Sequence, residues 1–248
     1  MIDKLKILKP IVISEFPKSG GSWIVSMLGD ALQIPCRDIY MRSGFDLFDG
    51  KKHPWYQGAN EFDFPVQCVI KSHERPNSGA INFDVTQVHL YRDGRDVVVS
   101  KYFFDKDFCV KNGITSSFED DFDSFVEKTS YEWANYVLAW REQSGVCSIR
   151  YEHFLADPAK EVGALIFGIF GENPEASYLE SVVARFTREK FSASLDAAFS
   201  HNTFVRKGVA GDWRNYFSED NASVFKSIAG DALIALGYER DKKWPVNK

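Results

Sequence analysis

The stretch Pro10–Trp23, PIVISEFPKSGGSW, contains the pattern that decides the fold. Its first half is rich in β-branched residues, which predicts a buried strand over Pro10–Phe16. The glycines then predict a tight turn, and from Ser22 to Leu32 the apolar residues recur at helical spacing. A helix that starts at a glycine turn attracts anions through its first N–H groups and its dipole, and Lys18 adds a full charge. The segment therefore predicts a phosphate cradle, although taken alone it fits an ordinary strand-to-helix turn equally well.

The same order of strand, turn and helix returns further along the chain. Strands are predicted at Val66–Ile70, Gln87–Arg92 and Val146–Tyr151. Helices are predicted at Phe118–Lys128 with Ser117 as its cap, at Tyr131–Glu142, and from Asp157 and Pro158 to Gly171. This alternation is typical of an α/β fold with a central parallel sheet and helices on both faces. Ligands of such sheets bind beyond the carboxyl ends of the strands.

The composition is that of a globular protein with a sizeable core. The chain has 248 residues, 44% of them hydrophobic, and a formal net charge of −5. It shows no repeat and no long linker, which predicts a single domain over residues 1–248. The acidity argues against a nucleic-acid binder. The apolar stretch Val162–Phe170 is about half of a membrane span, and no signal peptide is evident, so we expect a soluble, cytoplasmic protein.

The cysteines and histidines give no support to a metal site. The four cysteines form no CxxC pair, and the five histidines are scattered without metal-ligand spacing. We therefore expect buried, reduced thiols and no metal.

Three further segments suit chemistry on anions. Lys71 and His73 follow a predicted strand two residues apart, and a lysine beside a histidine favours the neutral imidazole that a general base requires. Arg92 and Ser100 supply a fork donor and a hydroxyl. The third segment, the loop VRKGVAGDW (Val205–Trp213), supplies Arg206, Lys207 and a glycine. Each segment alone fits a solvated polar strand end, a surface ion-pair cluster or a basic turn, but together they predict an anion site in an acidic chain.

The combination of these segments resembles the sulfotransferases that use 3'-phosphoadenosine 5'-phosphosulfate (PAPS). FPKSGGSW resembles their 5'-phosphosulfate loop PKSGTTW, VHLYRDGRDVVVSKYFF their 3'-phosphate segment, and VRKGVAGDWRNYF their signature RKGxxGDWxxxF. KSHERP is similar to KTHxP, and IRYEHFLADP to YEDMxxDP. The order and spacing also agree, and the resemblance extends from Ile11 to Phe217.

This resemblance implies a P-loop-like three-layer fold and a sulfuryl transfer with PAPS as donor, PAP (adenosine 3',5'-bisphosphate) as product and no metal. His73 would be the general base, Lys18 would stabilise the leaving phosphate, Lys71 would steady the transferring group, and Ser100 completes the catalytic set. The donor would be bound by Lys18, Ser19, Gly20, Gly21, Ser22, Trp23, Arg92, Ser100, Tyr151, Phe191, Arg206, Lys207 and Gly208. Among these, Trp23 and Phe191 would stack on adenine, and Tyr151 would contact the region of the base.

Two departures from the family pattern limit what the resemblance implies. Gly21 and Ser22 replace two threonines, which removes one hydroxyl from the cradle. The family's KxxxTVxxxE dimer motif is absent after GDW, so the oligomeric state stays open.

The acceptor is expected to be a small molecule with an aromatic or apolar part. The segments Tyr40–Phe64, Tyr102–Phe108 and Ile114–Phe125 are rich in aromatic residues and would form its pocket. Whether it offers a hydroxyl or an amine stays open.

Two other classes compete with sulfuryl transfer. One is a P-loop kinase of a small metabolite. The residue order argues against it, because Lys18 precedes the glycines of the loop, whereas the lysine of a Walker A motif follows them. The other is a nucleotide-binding protein without catalysis.

Overall fold

A parallel five-stranded sheet forms the centre of the protein in a computed structural model that describes residues 7–38, 44–45, 52–53, 67–79, 81, 84–111, 118, 120–196 and 205–245. Along the chain the strands are β1 Ile11–Glu15, β2 Cys36–Asp38, β3 Gly44–Phe45, β4 Lys52–His53, β5 Val69–Ser72, β6 Thr86–Tyr91 and β7 Cys147–Arg150. The sheet order is β2-β5-β1-β6-β7, and β3 pairs with β4 separately. The centre of the sheet is β1, with Ile13 opposite Lys71 of β5 on one side and Val88 of β6 on the other.

Helices follow the strands along the described chain. The α-helices are α1 Gly21–Leu32, α2 Gly94–Phe103, α3 Phe122–Arg141, α4 Tyr151–Ala156, α5 Pro158–Phe170, α6 Ala176–Val183, α7 Arg188–Asp196 and α8 Glu219–Ala235. A π-helical segment, Phe104–Cys109, extends α2, and a 3₁₀ turn, Asp212–Asn215, precedes α8.

Two hydrophobic clusters account for the layering. Ile11 and Ile13 of β1 belong to one cluster with the apolar faces of α1, α5 and α6. The second cluster joins the buried side chains of α2, α3 and α8, with Trp133 and Trp213 fully buried. All five residues of β1 are buried, as expected of a central parallel strand that helices cover. The predicted α/β fold with a central parallel sheet flanked by helices is confirmed.

Several predicted elements need correction. The two helices predicted at Phe118–Lys128 and Tyr131–Glu142 are one helix, α3, because Thr129 and Ser130 are buried inside it. The Ser130 hydroxyl donates to the Val126 carbonyl oxygen at 2.5 Å, so its polar group is satisfied within the helix. This helix begins at Phe122 with Asp121 as its cap, whereas Ser117 lies outside the described residues.

The other differences are smaller. The strand predicted at Val66–Ile70 runs two residues further along the chain, as β5. Cys36, Cys68 and Cys109 are buried as expected, but Cys147 is exposed, and none of the four cysteines forms a disulfide bond. The helix capped by Asp157 and ended by Gly171 is confirmed as α5.

Candidate active site

The phosphate cradle predicted between β1 and α1 adopts a left-handed turn. Lys18 has φ 75°, Gly20 has φ 103°, and the Ser19 N–H donates to the Phe16 carbonyl at 3.1 Å. Gly20 is required for a second reason, because a Cβ atom there would lie 2.5 Å from the ring of Tyr151. The turn therefore brings the first N–H groups of α1 to the carboxyl end of the sheet.

A single cleft at that end of the sheet gathers nearly all of the predicted site residues. It is lined by Lys18, Gly20, Gly21, Ser22, Trp23, Lys71, His73, Arg92, Ser100, Tyr151, Phe191, Arg206, Lys207 and Gly208. The exception is Ser19, whose side chain is buried beneath the loop with no hydrogen-bond partner for its hydroxyl among the described residues.

Lys71 and His73 enter the cleft from the end of β5. The Lys71 ammonium donates to Asp38 of β2 at 2.9 Å, and this buried carboxylate raises the pKa of Lys71. The His73 Nδ1 lies 2.9 Å from the Glu15 carbonyl oxygen. Because a carbonyl only accepts, Nδ1 carries the proton and Nε2 carries the lone pair. Burial, with Lys71 as the next cause, lowers the pKa of His73 to about 3, which keeps the ring neutral.

The surroundings of Lys18 lower the pKa of its ammonium group. Burial is the main cause, and the positive charge of Lys71 adds to it, so that the pKa of Lys18 is lowered to about 7. The Lys18 ammonium lies 3.9 Å from the ring centre of Phe104 in the π-helical segment. A bound anion would therefore strongly favour the charged form of Lys18.

Arg92 ties together two loops that border the cleft. Its guanidinium donates to the carbonyl oxygens of Lys18 and Val209, each at 3.2 Å, and lies 4.5 Å from the ring centre of Tyr151. Its buried Nε has no hydrogen-bond partner among the described residues. Arg92 is thus a buried, oriented donor at the mouth of the cradle.

The basic loop after residue 204 is held by its own acid. Asp212 accepts from Arg206 at 2.6 Å and from Lys207 at 2.9 Å, and the Tyr216 hydroxyl lies within 3.1 Å of both cations. Asp96 of α2 anchors the same loop, since its carboxylate accepts from the N–H groups of Gly211 and Trp213 at 2.6 and 2.9 Å.

Besides Phe104, aromatic rings from three further parts of the chain border the cleft. The Trp23 indole donates to the Phe186 carbonyl at 2.8 Å and meets the Tyr151 ring edge-on, with 6.2 Å between ring centres. Phe191 of α7 is 5% exposed and borders the cleft. Flat apolar surfaces of this kind are suited to a nucleotide base.

Four charged residues with a place at the site were not predicted. Glu15 and Arg188 line the cleft, Asp38 neutralises Lys71, and Asp96 anchors the basic loop. Glu15 could have been found, because a charged residue at the end of an apolar strand must meet a partner when it is buried. Asp38 and Asp96 become meaningful only when the sheet brings distant segments together.

The described residues contain no helix with the length and apolar character that crossing a membrane requires. In the same part of the chain, no group of three or more His, Cys, Asp or Glu side chains is arranged to hold a metal ion.

The sulfotransferase domain model matches residues 8–237. The chain belongs to this family. Sulfotransferase 2A1 of Homo sapiens is 25% identical over 92% of this chain and 86% of its own length. Sulfotransferase 1B1 of Mus musculus is 26% identical over 88% of this chain and 80% of its own length.

Solved structures of sulfotransferases share the fold. Mouse sulfotransferase SULT7A1 complexed with PAP superposes with a TM-score of 0.70 at 19% identity, covering 94% of this chain and 86% of that one. A retinol dehydratase in complex with androsterone and the inactive cofactor PAP gives a TM-score of 0.63 at 18% identity, covering 90% and 80% of the two chains.

Proposed function

We propose that this sulfotransferase transfers a sulfuryl group from PAPS to a hydroxyl or amine of a small apolar acceptor, with His73 as the general base. The observation that carries the proposal is the cleft itself. It brings Lys18, Lys71, His73, Arg92 and the Arg206–Lys207 pair together at one end of the sheet, although they lie far apart in sequence. The family and the PAP bound in a structural neighbour support the choice of donor.

The residues that border the cleft suit both ends of this donor. The turn before α1 offers N–H groups and the Lys18 ammonium to the 5'-phosphosulfate. Arg92, Ser100 and the Arg206–Lys207 pair offer donors to the 3'-phosphate, and their cations are the kind that bind phosphate well. Trp23 and Phe191 provide apolar ring surface for adenine. The donor supplies an activated sulfuryl group, and the protein has to orient and stabilise it.

The transfer needs one proton acceptor and one stabilising cation. His73 accepts the acceptor's proton at Nε2, because its Nδ1–H is already held by the Glu15 carbonyl. As the acceptor oxygen bonds to sulfur, the bond from sulfur to the bridging oxygen breaks, and Lys18 stabilises the charge left on the phosphate. Lys71 lies beside them and stabilises the transferring group. Positioning and charge supply most of the rate, and the base contributes roughly 10²–10⁴-fold.

An apolar acceptor fits the part of its pocket that the structure describes. Phe104, from the predicted segment Tyr102–Phe108, borders the cleft beside Lys18. Most of Tyr40–Phe64 and of residues 114–119 lies outside the described residues. The androsterone in the retinol dehydratase complex is likewise a small apolar alcohol.

A thermal-shift titration with PAP, ADP and 5'-AMP tests the donor. A ligand at a hundredfold excess over its Kd adds about 2.7 kcal/mol, which raises the Tm by roughly 5–10 °C for a chain of this size. We expect this rise with PAP, and no rise with ADP or 5'-AMP. A rise with ADP alone would move the protein to the kinases, and no rise with any nucleotide would overturn the donor assignment.

The variant His73→Ala tests catalysis with PAPS and an alcohol acceptor found by screening. Turnover should fall about 10²–10⁴-fold while the Kd for PAP stays within about twofold, because His73 acts on the acceptor. His153→Ala is the matched control, since that histidine is exposed on α4. Full activity of His73→Ala would refute the base assignment, and binding of PAP without any transfer would indicate a silent nucleotide-binding protein.

A further inference from the structure

The carboxylate of Glu15 lies where the phosphate cradle meets α1. Its Oε2 accepts the Gly21 N–H at 2.6 Å, in a buried environment. A Cβ atom on Gly21 would lie 2.3 Å from Oε1, so the carboxylate fills the space that a side chain at residue 21 would need. The Glu15 carboxylate therefore fits at this place because residue 21 is a glycine. A threonine at residue 21, as in the family's motif, would occupy the same space.

This carboxylate uses a group that the proposed donor also needs. The Gly21 N–H is one of the first of α1, and such N–H groups are the ones that hold a phosphate at a helix start. A phosphosulfate at this position would meet the negative charge of Glu15, which is buried, and like charges repel more strongly in a buried environment than in water. One of the two charges has to be removed or displaced.

Charged groups surround Glu15 on each side. Lys71 of β5 and Lys18 of the cradle attract its charge, while Asp38 of β2 repels it. His73, neutral in this setting, is bound to the backbone carbonyl of Glu15. Burial outweighs the two lysines and raises the pKa of Glu15 to about 7. Protonation of this acid is therefore accessible near neutral pH.

We propose that Glu15 is a further residue of the donor site and couples donor binding to proton uptake: the 5'-phosphosulfate binds to the protein in which the Glu15 carboxyl is protonated. The inference rests on the proposed function, since it takes the cradle to be the donor site. The proton comes from solvent. Once neutral, the carboxyl group no longer repels the anion, and its O–H donates a hydrogen bond to a nearby oxygen atom.

The proposal predicts how donor affinity depends on pH. If only the protonated form binds, the Kd for PAP rises with pH above the pKa of Glu15, up to tenfold per unit. Lys18 titrates in the same range and also takes up a proton when an anion binds. A comparison with Glu15→Gln isolates the acid, because this variant keeps the shape and an acceptor oxygen but cannot ionise.

The experiment is calorimetric titration of the full chain with PAP at pH 8, in buffers of different ionisation enthalpy, which counts the protons taken up. Wild type should take up nearly one proton more than Glu15→Gln, and the variant should bind PAP about tenfold more tightly. Glu180→Gln, a change at an exposed position on α6, should behave as wild type. Any protons that the phosphates of PAP themselves gain or lose on binding contribute equally to the titrations of all three proteins.

A second measurement needs no variant. In protein labelled with ¹³C at the glutamate carboxyl groups, one resonance should titrate near pH 7 and change to its protonated position when PAP is added at pH 8. Equal proton uptake and affinity in wild type and Glu15→Gln, or no carboxyl change on adding PAP, would overturn the inference while the donor site stands. Failure of all three proteins to bind PAP would instead overturn the proposed function, and this inference with it.

Discussion

Gly20 meets two separate demands at one residue. Its φ of 103° lies in a region that side chains disfavour, and a Cβ atom would strike the Tyr151 ring at 2.5 Å. We expect Gly20→Ala to lower the free energy of unfolding by about 1–3 kcal/mol and to weaken PAP binding, because the cradle and Tyr151 must both shift. Urea unfolding and a PAP titration measure the two effects.

Gly168 offers the matched control for that substitution. It is exposed within α5, and a Cβ atom there would meet nothing within 4 Å. Gly168→Ala should therefore raise stability by about 0.5–1 kcal/mol through helix propensity alone. An unchanged unfolding midpoint for Gly20→Ala would show that the cradle tolerates a side chain at this position.

The sequence predicts the cations of the site better than its acids. Lys18, Lys71 and Arg92 stand in segments whose type and spacing indicate anion chemistry, and the structure places all three at one cleft. Glu15 precedes the recognised motif by one residue and looks like the end of a strand. Its meaning depends on the 2.6 Å contact with Gly21, which a one-dimensional pattern does not show.

At the scale of elements, α2 anchors the backbone of the basic loop through Asp96. Asp96 accepts two N–H groups, from Gly211 and Trp213, and thereby fixes the loop that carries Arg206 and Lys207. Asp96→Asn replaces one acceptor oxygen with a donor. We expect weaker PAP binding and a loss of about 1–3 kcal/mol in stability, because a buried N–H loses its partner.

The kinetic signature separates this positioning role from a catalytic one. For Asp96→Asn the KM for PAPS should rise while kcat at saturating donor is retained within about threefold, since the loop forms once donor is bound. Asp231→Asn, an exposed change on α8, is the control. A fall in kcat with an unchanged KM would contradict the role assigned to Asp96.

Strands of the sheet and the helices packed against them are easier to predict from the sequence than the helices of the carboxyl-terminal third. Strands β1 and β6 and helices α1 and α5 follow from β-branched runs, glycine turns and caps, which act locally. Helices α6, α7 and α8 lie outside the predicted elements, although Ser218 and Asn221 form a capping box at the start of α8. α3 was predicted as two helices because the burial of Thr129 and Ser130 comes from tertiary packing, which overrides local preference.

For the whole molecule, the buried Glu15 sets a pH dependence of stability. Its folded pKa of about 7 lies above the ordinary value of 4.5, so the fold favours its protonated form. The stability linked to Glu15 is therefore fully present below pH 4.5 and is lost as the pH rises through 7. In Glu15→Gln, residue 15 cannot ionise, so this stability is not lost as the pH rises. Between pH 4.5 and 8 the variant should gain up to roughly 3 kcal/mol relative to wild type.

Urea unfolding of wild type and Glu15→Gln at pH 5 and pH 8 measures that gain. His73 and His89, whose pKa values are lowered to about 3, and Lys18, whose pKa is lowered to about 7, also make stability depend on pH, but both proteins contain them. The difference between the two proteins therefore reports mainly on Glu15. A difference in unfolding free energy that is the same at both pH values would contradict a raised pKa for this acid.

The cleft joins two segments that lie far apart in the chain, and this has a consequence for its biosynthesis. The cradle at residues 18–23 leaves the ribosome well before the basic pair Arg206 and Lys207. At about 5–20 residues per second, the first segment waits on the order of ten seconds or more for the second. Until the basic pair has emerged, a nascent chain lacks part of the site, so the full stabilisation by a nucleotide acts only on chains that contain both segments.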